Sequence, residues 1–172
     1  MSEVDHLSKG EPGHGFRTGR SAARPLDEVD RAVLAELVRD GRVSIRTLAE
    51  RVHVSRANAY ARVDRLVRDG VITGFGARVD PERAGLGTSA FVLLSMEQNA
   101  WREVSRQLRT LPYVEHVALV GGDFDALALV RAPDNAALRH VVLERIQDVA
   151  GVKATRTWLI FDEADGPGPG WG

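Results

Sequence analysis

Residues 44–70 read SIRTLAERVHVSRANAYARVDRLVRDG, and the fold follows from how that stretch breaks in two. Ile45, Leu48, Ala49 and Val52 fall at i, i+3, i+4 and i+7, one apolar stripe on a helix of about two turns. His53-Val54 interrupts the run, and Ser55 supplies a hydroxyl suited to capping a second helix. That second helix turns Ala59, Val63, Leu66 and Val67 inward and stops at Gly70, a residue able to take the left-handed position past a helix end. Its other face carries Arg56, Asn58, Tyr60, Arg62 and Arg65. A helix-turn-helix needs this division: a first helix that braces, and a second whose polar, cationic face enters a major groove. Short helix pairs also occur in folds that never meet DNA, so charge has to decide. From Arg42 to Arg68 seven arginines stand against Glu50 and Asp64, a local net of +5 in a chain whose formal charge is −1. Phosphate neutralisation requires such a local bias whatever the global charge. The expectation is a DNA-binding domain.

Upstream, Asp27 is placed to cap a helix with the apolar stripe Val29, Val33, Leu34, Leu37 and Val38, ending at Asp40-Gly41. Leu26 precedes the cap and is positioned to staple the chain onto it. Three helices are the minimum that gives a helix-turn-helix a core. Residues 1–25 carry Gly10, Gly13, Gly15, Gly19 and scattered charge with almost no apolar pattern, the composition of a disordered arm. Its Lys9, Arg17, Arg20 and Arg24 offset Glu3, Asp5 and Glu11, which suits a solvated tail better than a phosphate-binding one. After Gly70, Phe75, Ala77 and Val79 alternate with Gly74 and Gly76 between them, a pattern that predicts a strand forming a small wing. The first domain is thus expected over 26–80, with a linker over 81–87.

The remainder has a different rhythm. Residues 88–97 predict a strand with Ala90, Val92, Leu94 and Met96 on one face and Phe91 and Leu93 on the other. Asn99 is placed to cap a helix with Trp101, Val104, Leu108 and Leu111 inward, stopped by Pro112. Strands over 114–120 and 124–131 flank Gly121-Gly122-Asp123, which predicts a hairpin. Pro133-Asp134 opens a helix burying Leu138, Val141, Val142, Ile146 and Val149, Gly151 ends it, and 152–161 is the last strand. The order β-α-β-β-α-β is the ferredoxin-like split unit, so the fold class is α+β: an N-terminal winged helix-turn-helix domain followed by a ferredoxin-like domain over 88–162. Both helices cover one face of the sheet. Phe91, Leu93, Val117, Leu119, Leu127, Leu129, Leu159 and Phe161 are expected on the other, an apolar area that a homodimer would bury. Residues 163–172, EADGPGPGWG, read as a flexible tail with Trp171 exposed.

The 172 residues suffice for one or two domains with a real core, and 44% apolar with 27% charged residues is ordinary for a globular protein. There is no cysteine, which removes disulfides, thiolate chemistry and zinc–thiolate sites. No apolar run reaches the roughly 18 residues of a membrane span, and the N-terminus lacks a signal core, so the expected location is cytoplasmic. Histidines at 6, 14, 53, 116 and 140 form no pair at helical spacing, so neither a metal nor another cofactor is expected. His116 is expected on a strand or at the dimer border. No phosphate loop or nucleophile motif is present, and Asp123 and Asp125 alternate on a strand, a poor general acid/base pair.

The words LDEVDRAVLAEL (26–37), GRVSIRTLAERVHVS (41–55), RVDRLVRDGVITGFGARVD (62–80) and GGDFDALALV (121–130), in that order, resemble the leucine-responsive/AsnC family of feast/famine regulators over about Leu26 to Phe161. The resemblance implies a transcription regulator of double-stranded DNA that dimerises through its C-terminal domain, assembles further into tetramers or octamers, and binds a small effector, often an amino acid. By that resemblance the effector-binding loop falls on Gly121, Gly122, Asp123, Phe124 and Asp125. Glycines let a ligand approach backbone amides, and Asp123 or Asp125 could hold an ammonium group. Read from the residues alone, Gly121-Gly122-Asp123 more readily does no more than turn a hairpin. Ala57, Ala59 and Ala61 make the second helix lighter than the family pattern, and Asp64 sits among its arginines.

For DNA, Arg56, Asn58, Tyr60 and Arg62 are the candidates for base edges, because the N-terminal part of a recognition helix reads the groove. Arg42, Ser55 and Arg65 are candidates for phosphate contacts, which position without specifying. Two other readings stay open. The same architecture resembles sirohaem decarboxylases, although such an enzyme has no use for a cationic groove-reading face. A metabolite sensor without DNA affinity is the third.

Overall fold

Side-chain caps decide where the helices of the N-terminal unit begin. In the computed structural model, which describes residues 24–164 and Gly166, Asp27 accepts a hydrogen bond from the Asp30 amide at 2.8 Å. The Asp30 carboxylate accepts from the Asp27 amide at 3.1 Å. This reciprocal box opens α1 (Glu28–Arg39). Ser44 accepts from the Thr47 amide and opens α2 (Ile45–Arg51), and Ser55 accepts from the Asn58 amide and opens α3 (Arg56–Arg68). The turn between α2 and α3 is made by His53 at φ 54, and Gly70 at φ 66 closes α3. Both positions are left-handed, which glycine adopts freely and histidine only under constraint.

Val33, Leu34, Leu48 and Leu66 form the core of this unit, with Leu26, Val29, Leu37, Ile45, Val52 and Val63 packed around it. Two expected core residues lie outside: Val38 is 63% and Val67 39% exposed. Each sits at the edge of its stripe, where a three-helix unit has no fourth element to cover it. The expected wing strand is also absent. Residues 71–80 join no ladder among the described residues, and a Cβ at Gly74 or Gly76 would meet nothing within 4 Å. Alternation alone does not make a strand when no neighbour takes its amides and carbonyls.

The chain divides between Gly76 and Ala77, so residues 77–87 group with the second unit. That unit contains β1 (Thr88–Met96), α4 (Trp101–Leu108), β2 (Val114–Leu119), β3 (Ala126–Ala132), α5 (Asn135–His140), a π-helical turn over Val141–Ile146 and β4 (Val152–Ile160). The sheet order is β2-β3-β1-β4 with every neighbouring pair antiparallel. Ala90, Val92, Leu94, Ala126, Ala128 and Val130 line its helix side and bury against Val104, Leu108, Leu138, Val141, Val142 and Ile146. Alanines on β3 leave room for the helices to sit close to the sheet.

Register corrects the expected outer face. Residues opposite each other in an antiparallel ladder share a face. Val117 pairs with Ala128, Leu119 with Ala126 and Leu159 with Ala90, so all three lie on the helix side, and Phe161 falls beyond β4. A bulge between Val114 and His116 shifts the phase of β2. On the outer side Trp158 pairs with Phe91, Arg156 with Leu93, and Ala118 with Leu127, beside Leu129. Asn99 does not cap α4. It takes φ 67, and Ala100 opens the helix without a side-chain bond. The arm over 1–23 and the tail with Trp171 lie outside the described residues.

Candidate nucleic-acid interface and effector cleft

The first turns of α3 are exposed: Ser55, Arg56, Asn58 and Tyr60 are all accessible, Tyr60 at 63%. Only Ala59 among them turns inward, as its place in the stripe requires. The Arg56 and Arg42 guanidinium groups have no hydrogen-bond or ion-pair partner among the described residues. The Arg42 amide donates to the Asp40 carboxylate at 3.0 Å, which orients the loop before α2.

Arg62 and Arg65 are used differently from the expectation. The Arg62 NH1 donates to both Asp27 oxygens at 2.8 Å and to Asp30 Oδ1 at 2.6 Å, while its Nε donates to Asn58 Oδ1 at 2.7 Å. Arg65 donates to Asp30 Oδ1 at 2.5 Å. Asp30 is only 1% exposed, so this is a buried carboxylate held by two arginines one turn apart. The pair Arg62 and Arg65 therefore faces α1. Sequence reasoning missed this because the partners lie 32 and 35 residues away.

The electrostatics follow. Burial alone would raise the Asp30 carboxyl, but hydrogen bonds from Arg65, Arg62 and the Asp27 amide outweigh it and hold the group below its ordinary value of 3.8. Asp27 is lowered first by the Arg62 hydrogen bond and then by the Asp30 amide. Those same carboxylates raise Arg62 further. The local charge shrinks as a result: over 27–68, nine arginines face seven carboxylates, a net of +2. Arg51 is paired to Glu36, Arg46 to Glu50 and Arg68 to Asp64.

In the second unit the hairpin loop leaves Gly121, Gly122 and Asp123 exposed, with Gly122 at φ 128. Phe124 is half-buried, its ring 5.4 Å from the Arg156 guanidinium carbon. Asp125 stitches the loop to β1. Its carboxylate accepts from the Met96 amide at 2.7 Å, its own amide donates to the Leu94 carbonyl at 2.9 Å, and the Val120 amide donates to its carbonyl. Of the five loop residues only Asp125 reaches a cleft of about 390 Å³, which Met96, Glu97, Trp101, Leu119 and Lys153 also line. That cleft carries two carboxylates, one ammonium and an apolar wall. Lys153 had no signal in the sequence, because only the β1–β4 register, with Val152 opposite Met96 and Ala154 opposite Ser95, brings it beside the end of β1.

Two family models match the chain. One, described as a winged helix-turn-helix DNA-binding domain, covers residues 26–73, and the other, described as the Lrp/AsnC ligand binding domain, covers 89–166. The HTH-type transcriptional regulator AldR of Mycolicibacterium smegmatis is 35% identical over 170 residues, which is 95% of this chain and 99% of that one. The leucine-responsive regulatory protein of Escherichia coli is 34% identical over 143 residues, or 81% of this chain and 87% of its own length. Among solved structures, the feast or famine regulatory protein from M. tuberculosis complexed with L-methionine is 33% identical. It superposes with a TM-score of 0.75 over 83% of this chain and 97% of that one.

Proposed function

The chain belongs to the Lrp/AsnC family of DNA-binding transcriptional regulators, not to the decarboxylases, and on that premise we propose how it reads DNA and what it senses. The N-terminal turns of α3 enter the major groove, with Arg56, Asn58 and Tyr60 at base edges and Arg42 and Ser55 at phosphates. Arg62 and Arg65 hold α3 against α1 and set the angle at which it is presented. The observation that carries this reading is the division of labour on one helix. Its first turns are exposed and their arginine is unpaired among the described residues, while its middle is anchored to Asp27 and Asp30.

The effector is an amino acid seated in the cleft beside the hairpin loop. Glu97 and Asp125 suit its ammonium group, Lys153 its carboxylate, and Met96, Leu119 and Trp101 an apolar side chain. The Gly121–Asp125 loop borders that cleft, and Gly122 and Asp123 are open to a ligand from outside. A second copy of the chain covers the outer sheet face, where Phe91, Leu129 and Trp158 stand. No helix among the described residues is long and apolar enough to cross a membrane. A DNA-binding role supports a cytoplasmic location.

The test is binding to the duplex upstream of the protein's own gene, titrated in salt with and without L-methionine and L-leucine. Saturable, salt-weakened binding that exceeds binding to scrambled duplex, and that shifts with one amino acid, supports the reading. Equal binding to scrambled duplex overturns it. Arg56→Ala is expected to weaken specific binding by about 1–3 kcal/mol, the value of one good base contact, with dimer mass unchanged in light scattering.

A further inference from the structure

Charge in the residues before α1 is divided, a feature that the near-balance over 1–25 conceals. Residues 1–13 carry Glu3, Asp5 and Glu11 against Lys9, a net of −2. Residues 14–26, HGFRTGRSAARPL, carry Arg17, Arg20 and Arg24 with no acid, a net of +3. The cationic half is the one joined to the helix-turn-helix.

The structure fixes where that half enters the domain. Leu26 packs against the core of Val33, Leu34, Leu48 and Leu66, and Asp27 caps α1, so the chain joins the first helix at a set point. Asp27 accepts from Arg62 NH1 at 2.8 Å, and Arg62 Nε donates to Asn58 Oδ1 at 2.7 Å. The entry point is therefore one arginine side chain away from the exposed first turns of α3. Arg24 is itself exposed there. Asp27 and Asp30 are already paired with Arg62 and Arg65. That leaves Glu28 as the one other acid between residues 14 and 30, against three guanidinium groups.

We propose that the stretch from Arg17 to Arg24 is a second DNA contact, lying along the phosphates that flank the groove α3 enters. Guanidinium groups suit phosphate oxygens, which they meet with two parallel donors. Fully extended, the seven residues from Arg24 back to Arg17 reach at most about 25 Å, enough to pass several phosphates of one strand. In the three-helix homeodomain the chain before the first helix likewise contacts the duplex beside the recognition helix's groove. The proposal rests on the DNA-reading role given above and deepens it. The added contacts strengthen binding and make it more salt-sensitive, but they carry no base preference of their own.

The experiment measures binding of the full-length protein to its own upstream duplex over a series of salt concentrations. Beside the wild type stand the double variant Arg17→Gln with Arg20→Gln and a control, Arg139→Gln with Arg145→Gln. The control removes the same charge from two exposed positions of the second unit. Each phosphate contact contributes about 0.9 to the slope of log affinity against log salt, so losing two should flatten it by about 2 per DNA-bound subunit. The expected result is that flattening in the first variant, weaker binding at low salt, and the wild-type slope in the control. An unchanged slope in Arg17→Gln with Arg20→Gln overturns the proposal while leaving the regulator intact. Equal flattening in the control overturns it too, since net charge alone would then account for the effect. A wild type that binds scrambled duplex equally well overturns the DNA-reading role itself, and this proposal with it.

Discussion

Asp30 shows how much one residue can organise. It is at once half of the α1 capping box and the buried partner of Arg62 and Arg65. Removing its charge leaves two arginines, each about one-fifth exposed, with only Asp27 beside Arg62 and the more distant Asp69 beside Arg65. Asp30→Asn is accordingly expected to destabilise the N-terminal unit by roughly 2–4 kcal/mol, read as faster hydrogen exchange across α1–α3 in the whole protein. The sign with pH is set by both aspartates having lowered values in the folded state. Their contribution is fully present above the ordinary value of 3.8 and is lost as pH falls through the lower folded values. An unfolding series from pH 7 down to pH 2 should show that acid loss in the wild type and a flatter limb in Asp30→Asn. Asp27 as a cap is legible in the sequence, since it needs only its neighbours. Its ion pair with Arg62 is not, since packing alone brings the two together.

At the scale of elements, the junctions decide more than the elements. Gly151 ends the second long helix at φ 94, and its carbonyl accepts from the Glu97 amide at 2.8 Å. A Cβ there would lie 2.8 Å from the Ala100 Cβ and 3.2 Å from Val104, at the start of α4. Gly151→Ala is therefore penalised twice, by left-handed backbone and by overpacking, and should cost about 2–4 kcal/mol in chemical denaturation of the second unit. The glycine as a helix stop is readable from its position after Val149. The close approach to α4 is not. The same contrast separates Asn99 from Asp134. Both precede a helix, but Asp134 caps its helix by accepting from the Ala137 amide at 2.7 Å, whereas Asn99 spends its tolerance for positive φ on the turn before α4. The one predicted helix over 135–149 becomes α5 and a π-helical turn, yet its five expected core residues are all buried. The inward stripe survives a local change of pitch because the buried side chains, not the hydrogen-bond period, hold it to the sheet.

At the scale of the whole molecule, the outer sheet face is where pairing with a second copy is proposed. Trp158 is 52% exposed opposite Phe91, and Leu127 and Leu129 lie on the adjoining strand. A face of this kind on an isolated chain favours pairing with a like face. Leu129→Lys is expected to shift the protein from dimer to monomer in light scattering at micromolar concentration, with its far-ultraviolet circular dichroism unchanged. A dimer that persists would place the contact elsewhere.

Period and punctuation determined the elements. The i, i+3, i+4 stripes, the Asp and Ser caps and the glycine stops place the three helices and the β-α-β-β-α-β order, because each depends on residues within a turn or two of one another. Tertiary structure alone decided which residues of β2 and β4 point outward, since a bulge shifts the phase of β2 and the β1–β4 register sets Leu159 opposite Ala90. It alone decided which arginines of α3 are ion-paired, because the charge of Arg62 and Arg65 is answered from α1, more than 30 residues back. A sequence displays its charges in full. Only the fold determines which of them are already neutralised.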